Sequence, residues 1–215
     1  MERVKTGTRE FDRILQGGLV RGALTCLTGY ARCGKTTLCL QTALDLSANL
    51  RVLYITGDSD PSNLQDQIKK LSKSPSAHAP KNLMFTTPAQ PIRQGPTVLG
   101  WISAQLQAEV IVVDNVPGLK KSDLLPRSSR NPAEKEIVVL TADLSLPDDD
   151  IELADVVVHI DAIANDRTQR ILKLRKNRFG STDGAGRLLA TAKGLRSNDA
   201  GTLAVHHGQD LSNKT

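Results

Sequence analysis

Eight consecutive residues, Gly29-Tyr30-Ala31-Arg32-Cys33-Gly34-Lys35-Thr36, fit the pattern G-x-x-x-x-G-K-[ST]. Each specified position has a chemical task. The glycines let the backbone curl so that its N–H groups face a phosphate, and Lys35 brings a point charge to the β and γ oxygens. The Thr36 hydroxyl suits a Mg²⁺ ion, and a helix opening here adds the positive end of its dipole. Gly29 through Thr37 is therefore the candidate phosphate-binding segment, with ATP and Mg²⁺ as expected ligands. Two carboxylates complete the candidate chemistry. Asp114 ends the apolar run Val110-Ile111-Val112-Val113, and an acid at the carboxyl end of a buried strand can hold Mg²⁺ through water. Asp58 follows Val52–Thr56 and is placed to polarise an attacking water. Asp60 is the alternative, or it caps the next helix.

These groups need a scaffold, and the chain alternates strand and helix signals. Leu24–Thr28 is a short β-forming run before the loop. Thr37–Leu46 lacks Gly and Pro and spaces Leu40, Ala43 and Leu44 as a helix does. Thr8–Leu15 reads as a short helix stopped by Gly17-Gly18. Val52–Thr56 is a core strand and Ser59–Lys73 a helix with Leu64, Ile68 and Leu71 on one face. Leu83–Thr86, Val110–Asp114, Ile137–Leu140 and Val156–Ile160 read as strands, and Thr97–Leu106 as a helix. Arg170–Lys176 and Arg187–Thr191 predict a hairpin across Ser181–Gly186. The order implies an α/β fold, a mainly parallel β-sheet flanked by helices with an antiparallel C-terminal extension. Residues 1–200 are expected to form one core, and 201–215 a polar tail.

Composition narrows the class. With 215 residues and 3% aromatics, Val, Ile, Leu and Ala must build the core, which suits a parallel sheet. No apolar run approaches the ~20 residues of a membrane span and no signal-peptide h-region opens the chain, so a cytoplasmic protein with no membrane partner is expected. Cys26, Cys33 and Cys39 lack zinc-site spacing and read as reduced thiols. Positive charge near Cys33 predicts a lowered thiol pKa there. The net charge is +5, and basic residues cluster in two places: Lys120, Lys121, Arg127 and Arg130 in one loop, and Lys173, Arg175, Lys176 and Arg178 on one strand. The first set could meet a nucleic-acid backbone, opposed by Asp148, Asp149 and Asp150.

Thr6-Gly7-Thr8-Arg9-Glu10-Phe11-Asp12, Gly17-Gly18, Arg21-Gly22, the phosphate loop and Leu53-Tyr54-Ile55-Thr56-Gly57 together resemble the ATPase core of RecA-type proteins. The segment from Asp166-Arg167 into Lys176-Asn177-Arg178-Phe179-Gly180 is similar to the bacterial RadA (Sms) branch, and Gly194-Leu195-Arg196 continues the likeness. The resemblance implies a RecA-like P-loop ATPase that works on single-stranded DNA in recombination and repair, as a ring. It implies that Lys176 and Arg178 reach the nucleotide of a neighbouring copy as trans charges, and that Asp58 stands where the family has a catalytic glutamate. The departures are specific. Only the 22 residues 115–136 separate Asp114 from Ile137. Ala142 occupies a position where relatives carry a polar γ-phosphate sensor. The family's zinc module and Lon-like domain have no counterpart in these residues. Two functions follow: a Mg²⁺-dependent ATPase acting on DNA, expected to turn over slowly, or a degenerate nucleotide-binding paralogue that regulates a partner RecA-type ATPase.

Overall fold

The computed structural model describes residues 1–57, 61–72, 80–87, 106–116, 137–143 and 154–197. Asp58, Asp60, the basic loop with Lys120, Lys121, Arg127 and Arg130, the Asp148–Asp150 run, most of the Thr97–Leu106 helix and the 201–215 tail lie outside them.

Six strands are rich in apolar residues: β3 (Leu24–Gly29), β4 (Val52–Thr56), β5 (Leu83–Thr86), β6 (Val110–Asp114), β7 (Ile137–Asp143) and β8 (Val156–Ile163). β3, β4 and β6 are buried at every position, and a strand buried on both faces has no reason to alternate. Leu27, Tyr54, Val112 and Val158 point into one core, and Leu24, Cys26, Leu53, Ile55, Ile111, Val113 and Val157 into another on the opposite face. All six run parallel in the order β8-β3-β7-β6-β4-β5. The phosphate-loop strand β3 is therefore central, and the carboxyl ends of β3 and β6 open on the same edge.

Against the first core packs α2 (Lys35–Leu46), which buries Leu38, Cys39, Leu40 and Ala43. The short helix α1 (Arg9–Ile14) and α3 (Pro61–Leu71) add Phe11, Ile14, Leu64 and Ile68 to the same core. Beyond β8 the pattern changes to the alternation of a half-exposed sheet. In β9 (Asp166–Asn177), Leu172 and Leu174 are buried while Lys173 and Arg175 are exposed. β9 pairs antiparallel with β8 and with β10 (Ala185–Thr191), forming the expected hairpin, and β11 (Gly194–Ser197) closes the edge. Three strands escape sequence patterning: β11, and the paired two-residue strands β1 (Arg3–Val4) and β2 (Leu19–Val20). The strands β7 and β8 each run three residues further than their apolar cores suggest. Among the described residues no helix is long and apolar enough to cross a membrane.

Candidate functional site

β3 ends at Gly29 with φ +153°, and a Cβ there would lie 2.1 Å from the Ile160 carbonyl oxygen and 2.8 Å from Cys33 Sγ. Only glycine lets β3 leave the sheet so close to β8. The chain then turns through Arg32 (φ 63°) and Gly34 (φ 109°), which caps α2 in the left-handed region. Ala31, Arg32, Gly34, Lys35 and Thr36 of the loop, with Thr37, Asp114 and Asn115, line a cleft of about 310 Å³.

Lys35 lies at the start of α2 and is 8% exposed. Its ammonium donates to the carbonyls of Gly29 at 2.7 Å and Tyr30 at 3.0 Å, so the charge lies folded against the loop. Thr36 donates its hydroxyl to Asp114 Oδ1 at 3.1 Å, bringing together the two residues assigned to Mg²⁺ from sequence. Asp114, 2% exposed, accepts at Oδ2 from the Tyr54 hydroxyl at 2.8 Å. Burial, and after it the Asp114 charge, push the Tyr54 phenol well above its usual range, so it remains a donor. Thr56 is paired directly with Asp114 across β4 and β6, and its buried hydroxyl has no hydrogen-bond partner among the described residues. Mg²⁺ takes hard oxygen ligands, and it keeps several waters while using one or two carboxylates and substrate phosphates. The Thr36 hydroxyl and the Asp114 carboxylate, both lining the cleft, fit such an ion. Among the described residues no group of three His, Cys, Asp or Glu could hold a metal by protein ligands alone.

Other residues hold the loop from outside. Arg170 on β9 donates its Nε to the Cys33 carbonyl at 2.7 Å and its Nη1 to the carbonyls of Arg167 at 2.7 Å and Gln169 at 3.0 Å. His159 on β8 shares a 3.1 Å hydrogen bond between its Nδ1 and the Thr28 hydroxyl, one residue before the loop. Its imidazole is held below its usual value, first by burial and then by Arg175. The expectation for Cys33 is corrected: burial raises its thiol pKa, and the opposing effect of Lys35 is smaller.

Lys176 and Arg178 are not brought to the loop of their own chain. A register shift leaves Arg175 unpaired and sets Lys176 opposite Val157, which in turn pairs with Cys26. That is three residues back from Gly29, about 10 Å, and two strands across, about 10 Å more. Arg178 lies further on and bonds Asp155 Oδ1 at 2.8 Å, while Asp155 Oδ2 accepts the Leu24 N–H at 2.9 Å. Tyr54, Thr56, Arg170 and Asp155 were missed by sequence reasoning. Only Tyr54 carried a usable signal, since a buried phenol needs a hydrogen-bond partner.

The family model described as "ATPase: KaiC" matches residues 4–132. The DNA repair protein RadA of Salmonella typhimurium is 28% identical over 233 residues, covering 99% of this chain and 48% of that protein. The DNA repair protein RadA of Bacillus subtilis is 29% identical over 220 residues, covering 90% and 44%. The chain thus spans about half the length of the curated relatives it matches. The crystal structure of the RadB recombinase superimposes with a TM-score of 0.70 at 22% identity, covering 91% of this chain and 99% of that one. The RecA-like fold and the RadA resemblance read from sequence agree with these matches.

Proposed function

Because this chain belongs to the KaiC ATPase family, we propose that it binds and hydrolyses ATP with Mg²⁺ and acts as a RecA/RadA-like protein in DNA recombination or repair. The observation that carries the reading is the Thr36–Asp114 pair at 3.1 Å beside Lys35, on one cleft at the carboxyl edge of the sheet. Lys35 exchanges the Gly29 and Tyr30 carbonyls for β and γ oxygens. The loop N–H groups and the α2 N-terminus face the phosphates. Thr36 and Asp114 hold Mg²⁺, which neutralises charge on the phosphates when bound. Asp58 polarises the attacking water. Lys176 and Arg178, remote from their own loop, serve the nucleotide of a neighbouring copy, which makes the active form an oligomer. The partner is single-stranded DNA, met at its phosphates by Lys120, Lys121, Arg127 and Arg130.

The test is steady-state ATP turnover with and without single-stranded DNA, alongside nucleotide affinity by calorimetry. Turnover is expected to be slow and to rise with DNA. Lys35→Ala removes a charge-assisted contact of about 1.5–3 kcal/mol and should weaken binding at least about tenfold. Equal affinity in that variant refutes the nucleotide site. Tight ATP binding with no turnover, with or without DNA, replaces the enzyme by a nucleotide-holding regulator of a partner ATPase.

A further inference from the structure

We propose that the Tyr54 hydroxyl is a positioning group for the Asp114 carboxylate, fixing which of its two oxygens is turned to the metal. This rests on the reading of Asp114 as the Mg²⁺ carboxylate. The two oxygens of Asp114 are already distinguished: Oδ1 is met by Thr36 in the cleft and Oδ2 by Tyr54 beneath it.

The geometry comes from the sheet. Tyr54 pairs with Val112 and Thr56 with Asp114, so Tyr54 and Asp114 are diagonal neighbours on one face of two parallel strands. Side chains at such diagonal positions meet only when one is aromatic or long. Tyr54 is fully buried, and its ring packs on Phe85 with centroids 5.6 Å apart. The ring is held on all sides, and its hydroxyl is presented at one place. A hydrogen bond from a neutral donor to a carboxylate is stronger than one between neutral groups.

A bland alternative is that Tyr54 is a core aromatic whose hydroxyl found the nearest acceptor. Against it stands Thr56. Directly opposite Asp114, this residue keeps a buried hydroxyl with no partner among the described residues. A carboxylate released by Tyr54 therefore has a second donor to turn to, and its orientation is a choice that the phenol settles. A phenylalanine would fill the same core space without burying a hydroxyl. It would leave Oδ2 without this donor and the choice open.

The test is Tyr54→Phe, which keeps the ring and removes one oxygen. ATP affinity is measured by calorimetry in excess Mg²⁺ and again in EDTA, with the melting temperature of the ligand-free protein as a check on folding. Wild type is expected to bind more tightly with Mg²⁺. In the variant, affinity in EDTA is expected within about twofold of wild type, while the gain from Mg²⁺ shrinks about tenfold, a tenfold being ~1.4 kcal/mol. Asp114→Asn should abolish the gain, and adding Tyr54→Phe to it should change nothing more, because the phenol acts through that carboxylate. An undiminished Mg²⁺ gain in Tyr54→Phe overturns the proposal. So do an equal loss with and without the metal, and an additive double variant. An Asp114→Asn protein that keeps the full gain overturns the reading of Asp114 itself, and the proposal with it.

Discussion

Arg170 offers a measurable link between the hairpin and the phosphate loop. Its guanidinium holds the Cys33 carbonyl at 2.7 Å, while its Nη1 is anchored on the carbonyls of Arg167 and Gln169. Holding that carbonyl fixes the orientation of the adjoining peptide planes, and a phosphate site depends on where the loop N–H groups point. Arg170→Met keeps much of the apolar stem and deletes all three hydrogen bonds. The carbonyls of Arg167 and Gln169 lie near an exposed turn and regain water. The loss therefore falls on Cys33. A bond from a charged donor contributes about 1.5–3 kcal/mol, and the partly exposed guanidinium argues for the lower end. If ATP must then impose the loop shape that Arg170 now imposes, about 1.5 kcal/mol moves into the binding step, and affinity should fall about tenfold. Arg170→Lys should recover only part of this, since one ammonium cannot bridge the loop and the turn as a planar fork does. Calorimetric titration with ATP–Mg²⁺, with thermal melts beside it, gives the answer. Wild-type affinity in Arg170→Met refutes the reasoning, and so does a large drop in melting temperature with affinity unchanged, since the bond would then support the fold and not the loop.

His159 gives a pH signature. Its folded-state pKa is lowered from 6.5, so the folded protein favours the neutral ring. That contribution is complete above the unfolded value and is lost as pH falls through the folded one. Melting temperature should therefore drop more on acidification below pH 6.5 in wild type than in His159→Gln, and equal drops would contradict it. The placement of Lys176 and Arg178 predicts complementation between copies: Lys35→Ala and Arg178→Ala, each inactive alone, should regain turnover when mixed. About a quarter of interfaces join an intact loop to an intact arginine if copies assort at random around a ring. No recovery at any ratio would place Arg178 outside the chemistry. Withdrawing Arg178 from its half-exposed pair with Asp155 should cost under about 1 kcal/mol, so that pair is no obstacle.

The groups legible in the sequence and the groups that were not differ in kind. Gly29, Gly34, Lys35 and Thr36 are read together because their spacing lies within one turn of chain. Asp114 is read because an acid interrupts an apolar run where a buried strand must end. The antiparallel extension is read from the alternation through Leu172, Lys173, Leu174 and Arg175. Each is a local pattern with a local cause. Tyr54 is joined to Asp114 across 60 positions and Arg170 to Cys33 across 137. Those unions depend on which strands become neighbours, and no spacing in the chain expresses the order β3-β7-β6-β4. Cys33 fails in the opposite direction. Its neighbours in sequence suggest an activated thiol, but the packing of β8 and α2 around the loop buries it, and desolvation outweighs Lys35. What spacing reveals here are the groups aimed at a ligand. What only the pairing of strands reveals are the groups that aim them, which is why the sharpest tests of this site fall on Tyr54 and Arg170, two residues expected to touch no nucleotide.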